Sequence, residues 1–113
     1  MGVLLRQEYT GNTYPEVITE RTNGRTIKYV PYVISEVDNM FTWEYVPLRI
    51  SDYNYPGLVN ALIGLKYDLS ETLAIMNNYM YEPTNETYKK EFIEFQEWRK
   101  TAKTYAKKYF NIA

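Results

Sequence analysis

Two dipeptides, Asn23-Gly24 and Asp38-Asn39, constrain this chain more than any other feature, because each sits between runs of strand-forming residues. The first separates Val17-Ile18-Thr19-Glu20-Arg21-Thr22 from Arg25-Thr26-Ile27-Lys28-Tyr29-Val30. Both central residues of a type I′ turn need positive φ, so Asn-Gly between β-branched runs predicts a tight hairpin with Thr22 facing Arg25 and Ile18 facing Tyr29. The second separates Tyr32-Val33-Ile34-Ser35-Glu36-Val37 from Met40-Phe41-Thr42-Trp43-Glu44-Tyr45-Val46. A two-residue loop there sets Ile34 opposite Trp43 and Tyr32 opposite Tyr45, with Phe41, Trp43 and Tyr45 on one face. Leu4, Leu5 and Tyr9 suggest an opening strand ended by Thr10-Gly11-Asn12-Thr13-Tyr14-Pro15. Pro31 and Pro47 each delete a ladder donor, so the sheet is expected to bend, break or present an edge there, and an edge can accept another chain.

The period changes between Asp52 and Pro56. Asp52 or Asn54 can cap a helix that opens at Tyr55-Pro56-Gly57 and carries Leu58, Val59, Leu62, Ile63 and Leu65 at helical spacing. Gly64, costing about 1 kcal/mol against alanine, is read as a point of close backbone packing. Asp68-Leu69-Ser70-Glu71 has the form of a capping box and starts a second helix with Leu73, Ile75, Met76, Tyr79 and Met80. Glu82-Pro83-Thr84-Asn85 ends it. A third helix from about Glu86 to Phe110 bears Tyr88, Phe92, Phe95, Trp98 or Arg99, Ala102, Tyr105 and Tyr109 in steps of three and four. At about 1.5 Å per residue it outruns its two neighbours, so part of that stripe is expected to project beyond them, where something else can cover it. The fold class is therefore α+β: N-terminal antiparallel hairpins in a meander, then a three-helix C-terminal module. It is one domain of 113 residues, with residues 1–50 as a β-rich attachment segment and 55–110 as the helical module.

Composition narrows the chemistry. With no His and no Cys, the usual general base, thiol nucleophiles, disulfides and most zinc sites are excluded. Glu91, Glu94 and Glu97 recur at three-residue spacing, but no second cluster completes a hydrolytic or hard-metal site, so no cofactor and no catalytic residues are expected. The stretch Met1 to Arg6 is too short an apolar run for a signal peptide or a span, Arg6 stands where a myristoylation motif wants Ser or Thr, and the Asn85-Glu86-Thr87 triplet means little without export. The expectation is a protein made and used in solution, without a membrane.

Net charge of −1 weighs against nucleic acid as the principal partner. The local exception is Arg99, Lys100, Lys103, Lys107 and Lys108, five cations without an acid, with Tyr105 and Tyr109 interleaved. They suit a few phosphates, but bases in the second half of a helix whose acids lie in the first half also complement its dipole. Thirteen tyrosines against four Phe and two Trp are the compositional oddity. Tyrosine buries a large apolar body while its hydroxyl keeps a partner, which suits half-buried interfaces. Tyr14, Tyr32, Trp43, Tyr45, Tyr105 and Tyr109 are the candidate interface residues. Trp43 in its aromatic strand also suits sugar stacking, although a packed sheet face explains the alternation.

From about Tyr55 to Lys108 two segments carry a resemblance. They are Leu58-Val59-Asn60-Ala61-Leu62-Ile63-Gly64-Leu65-Lys66-Tyr67 leading to Ala74-Ile75-Met76-Asn77-Asn78-Tyr79, and Glu94-Phe95-Gln96-Glu97-Trp98-Arg99-Lys100-Thr101-Ala102-Lys103. This half resembles small proteins encoded among the structural genes of tailed bacteriophages of gut anaerobes. The resemblance implies a non-enzymatic virion protein, assembled in the host cytoplasm, that binds capsid, connector, tail or fibre subunits or copies of itself as a homo-oligomer. It also makes Asn77-Asn78 and the Gln96, Trp98, Arg99 group the candidate polar locks of the helical module. The alternative is a phage-encoded regulatory or nucleic-acid-binding module that uses the basic end of the last helix.

Overall fold

The computed structural model describes residues 8–112 and divides into two compact units, one ending at Tyr53 and the other beginning at Asn54. The change of unit falls inside the stretch where the hydrophobic period changes. Leu4 and Leu5, expected to open the first strand, lie outside the described residues.

The first unit is a four-stranded antiparallel sheet of β1 (Tyr9–Gly11), β2 (Ile18–Thr22), β3 (Arg25–Val37) and β4 (Met40–Arg49), in the order β1-β4-β3-β2. Both hairpins turn where the dipeptides require. Asn23 and Gly24 have φ of 53° and 74°, Asp38 and Asn39 have 52° and 64°, and all four fall in the left-handed region that a type I′ turn demands. Thr22 pairs with Arg25 and Ile18 with Tyr29, the expected register.

The β3–β4 register departs from expectation. Val37 to Ser35 pair with Met40 to Thr42 as a two-residue loop dictates, but Ile34 is skipped and Val33 takes the place opposite Trp43. This bulge shifts everything beyond it by one residue, so Tyr45 faces Pro31 and Tyr32 faces Glu44. Because side chains alternate, a one-residue shift moves Tyr32 to the sheet face opposite Tyr45, and the expected Tyr32–Tyr45 and Ile34–Trp43 pairs do not form. Ile34 is left 45% exposed.

β3 runs unbroken through Pro31, and β4 through Pro47. The sheet tolerates both prolines because β2 stops at the Ile18–Tyr29 pair and the described part of β1 pairs no further than Trp43, so neither outer strand asks a proline to donate. At mid-sheet both faces are buried, with Tyr29, Pro31 and Tyr45 on one side and Val30, Val46 and Leu48 on the other. A single 3-10 turn, Ile50–Asp52, closes the unit, and Lys28 reaches over the Tyr53 ring at 5.4 Å.

The second unit has three helices, α1 (Tyr55–Gly64), α2 (Leu69–Tyr81) and α3 (Glu86–Tyr109). Each start is fixed by a side chain. Asn54, rather than Asp52, caps α1 by accepting from the Gly57 N–H at 2.9 Å. Asp68 accepts from the Glu71 N–H at 2.7 Å while Glu71 accepts from the Asp68 N–H at 3.1 Å, completing the capping box of α2. Asn85 accepts from the Tyr88 N–H at 3.1 Å to start α3. α3 ends with Asn111 at φ 55° and the Ile112 N–H donating to the Lys107 carbonyl, a left-handed closure of the last turn.

α1 and α2 both pack on α3. Leu58, Val59 and Leu62 of α1 are buried, as are Phe95, Ala102 and Ala106 of α3. The Trp98 Nε1–H donates to the Leu62 carbonyl at 3.0 Å, and Lys66 sits 4.2 Å from the Trp98 ring centroid, so Trp98 ties α3 to the end of α1. Tyr67 meets Phe95 edge-on at 5.0 Å, and Tyr79 stacks on Phe92 at 4.2 Å. The stripe of α3, a helix longer than α1 and α2 as expected, is not left bare: every residue from Tyr88 through Tyr109 placed on it is buried or half-buried. Nor does Gly64 mark a close approach, since a Cβ there would meet nothing within 4 Å.

Candidate interaction surface

Most of the exposed large apolar residues of the helical unit lie on α2. None of its described residues is buried. Leu69, Leu73, Met76 and Met80 are 74%, 51%, 37% and 76% exposed. Their spacing of four, three and four residues places them in an arc about 60° wide on one side of the helix. Thr72, Ile75, Asn78 and Tyr79 are the half-buried residues of α2, and Tyr79 stacks on Phe92 of α3. The ridge formed by Leu69, Leu73, Met76 and Met80 is thus the part of the apolar face of α2 that is left exposed.

Beside this ridge runs a groove of about 540 Å³, walled by Val59, Ile63 and Gly64 of α1 and by Leu69, Thr72 and Met76 of α2. Phe95 of α3 lies in the same groove. Asp68 and Arg99 are its charged members. Leu69 and Met76 therefore belong both to the ridge and to the groove wall.

The tyrosines and tryptophan singled out in the sequence are not gathered into one surface. In the sheet unit, Tyr14 is exposed and meets Phe41 edge-on at 5.4 Å. Tyr45 is 7% exposed and lies edge-on to Tyr9, so its ring serves the packing of the sheet itself. Trp43 is half-buried, stacks on Tyr9 at 6.1 Å and lies 3.3 Å from where a Cβ at Gly11 would stand. Its Nε1 is buried without a hydrogen-bond partner. Tyr32 is half-buried, and burial together with Glu44 opposite it raises its phenol above the ordinary value. In the helical unit Tyr105 and Tyr109 are half-buried on α3, and Tyr109 packs edge-on to Phe110. Burial, then Glu94 and Glu71, raise the Tyr67 phenol in the same way.

Of the basic residues, Arg99, Lys100, Lys103 and Lys107 line one groove of about 350 Å³ with Gln96 and Thr104, and Lys108 stands apart from it. The Arg99 guanidinium donates to Gln96 Oε1 at 3.2 Å, which holds its head along the helix. Lys107 and Lys108 occupy the last turn, where the helix dipole favours them. Glu91, Glu94 and Glu97 are exposed on α3, and among the described residues no group of three or more His, Cys, Asp or Glu is placed to hold a metal ion. No helix of the described residues is long and apolar enough to cross a membrane.

No protein-family model, no curated protein and no solved structure matches this chain. The geometry of its own residues is thus the basis for a functional reading. Sequence reasoning placed Leu73, Met76 and Met80 on a helix but did not single them out as a surface. The available signal was their four-three-four spacing with Leu69, flanked by Ser70, Thr72 and Asn77 instead of charges.

Proposed function

We propose that this chain is a non-enzymatic structural protein that works by binding neighbouring protein subunits, in the setting its helical half resembles, the virion of a tailed bacteriophage. The observation that carries the binding role is the uncovered apolar ridge of α2 beside an apolar groove. Contiguous apolar surface of this kind is characteristic of protein contacts, whereas isolated exposed residues are ordinary. A composition without His or Cys supports a role without catalysis. Mass spectrometry of purified particles tests the setting: the chain is expected at a fixed copy number in intact particles, and its absence from them overturns the virion reading. Substituting Leu73 and Met80 by Lys is expected to abolish incorporation while leaving the helical content unchanged.

A second reading rests on Arg99, Lys100, Lys103 and Lys107 sharing one groove. A nucleic-acid contact there would weaken steeply with salt, and more so after Lys103 and Lys107 are neutralised. Binding to duplex or single-stranded DNA that ignores both changes removes this reading.

A further inference from the structure

We propose that the partner of the α2 ridge is the α2 ridge of a second copy of this chain, the two helices crossing about a two-fold axis near Leu73 and Met76. The inference rests on the binding role proposed above and names its partner.

Three features favour a copy over an unrelated protein. An isologous contact must use one patch that complements itself. Here the same helix supplies both halves of the fit, because Leu69 and Met76 stand on the ridge and also wall the groove into which a facing ridge would settle. Two copies can therefore lay ridge into groove reciprocally, as helices do when they pack.

Charge is the second feature. A two-fold axis brings like residues together, so a charged patch repels itself. Among the thirteen residues of α2, Glu71 alone is charged, and at 100° per residue it lies on the side away from the ridge. Residues nearest the axis, Thr72, Leu73, Met76 and Asn77, are all neutral. The charges in the groove, Asp68 and Arg99, are opposite in sign, so the groove presents no net charge to repel its copy. A crossing in place of full-length alignment keeps the acids near the two ends of α2, Asp68 and Glu82, away from their counterparts. A nucleic acid or strongly acidic partner has nothing to gain from such a face.

Area is the third. The four ridge residues leave on the order of 500 Å² of surface in water, a large share of the roughly 800 Å² that one partner contributes to a stable interface.

Sedimentation equilibrium of the full chain over a dilution series tests this. The expected mass is twice 13.5 kDa, falling toward 13.5 kDa on dilution. Leu73→Lys with Met80→Lys should raise the dissociation constant by about 100-fold or more with an unchanged helical circular-dichroism spectrum. Because the chain has no Cys, single-cysteine variants report contacts cleanly. Leu73→Cys should cross-link to a disulfide dimer on oxidation, whereas Lys107→Cys on α3 should not. If the double lysine variant loses helicity, the wild-type mass and the Leu73→Cys cross-link still decide the matter. A wild-type chain that is monomeric throughout, or a dimer indifferent to the lysines and cross-linking equally through Lys107→Cys, overturns the pairing. A monomer whose particle incorporation is still abolished by the lysines overturns the self-pairing while leaving the binding role. A monomer whose incorporation survives them overturns both.

Discussion

α1 and α2 are built alike and used differently. Each begins at a side-chain cap, each carries apolar residues at helical spacing, and each lies on α3. Yet α1 buries Leu58, Val59 and Leu62, while α2 buries nothing. Propensity and capping decide that a helix forms; the neighbours decide whether its apolar face becomes core. α1 is held by three buried side chains and by the Trp98–Leu62 hydrogen bond, while α2 is held by the stacking of Tyr79 on Phe92 and leaves Leu69, Leu73, Met76 and Met80 exposed.

The largest effect that would break this comparison is truncation. Leu62→Ala removes a side chain with no exposed surface and should cost about 2–5 kcal/mol, the range for deleting a buried leucine. The same change at Leu69, 74% exposed, should cost less than about 1 kcal/mol in the dissociated chain. Chemical unfolding of both variants in dilute solution checks the pair. Equal losses would mean that the Leu69 side chain is covered and that the contrast between the helices is false.

That contrast also marks what the sequence made legible. Both hairpins could be read because Asn23-Gly24 and Asp38-Asn39 demand positive φ, a requirement local enough to see in two residues. The caps Asn54 and Asp68 were legible because capping too is a local requirement, although Asp52 offered an equally good reading for the first, whereas Asn85 was read only as part of the segment that ends α2 and not as the cap of α3. The bulge at Ile34 was not, because a bulge needs no special residue type and Ile34-Ser35 continues the strand alternation on either register. The ridge on α2 was not, because periodicity reports that an apolar face exists and not whether anything lies on it. Its neighbour α3 shows the converse: length alone predicts a stripe that outruns α1 and α2, and Ala102 and Ala106 near its far end are nevertheless buried, which periodicity does not report either. Tyr45 was grouped with interface residues by its type, and a residue type carries no information about which half-buried tyrosines face inward.

A smaller change sharpens the comparison at the caps. Asp68→Ala removes the carboxylate that accepts from the Glu71 N–H, leaving only the backbone N–H of residue 68 to donate to Glu71, and should lower stability by about 1 kcal/mol. Its sharper signature is local. With no buried residue to hold it, the first turn of α2 should open without the rest of the unit, and its amides should exchange faster with solvent. Asn54→Ala at the start of α1 should cost a similar amount globally but leave amide protection in α1 close to the global value, since Leu58 and Leu62 anchor it. Matched loss of protection in both helices would show that α2 is held as firmly as α1.

The smallest expected effect is a gain. Gly64 closes α1 with a backbone that is not in the left-handed region, and a Cβ there meets nothing within 4 Å. Gly64→Ala should therefore stabilise the dissociated chain by about 0.5–1 kcal/mol, chiefly by reducing the freedom of the unfolded chain. Gly24→Ala, by contrast, should destabilise, because Gly24 holds φ at +74° in the hairpin turn. Gly64 is one of the residues that line the groove between α1 and α2. If that groove receives a second copy, the methyl added at residue 64 takes up space the facing ridge needs, so the gain should shrink or reverse as protein concentration rises. Thermal unfolding of Gly64→Ala at two concentrations reads both terms, and a gain that is the same at each would place the occupied surface on the exposed crest of α2 and not in the groove.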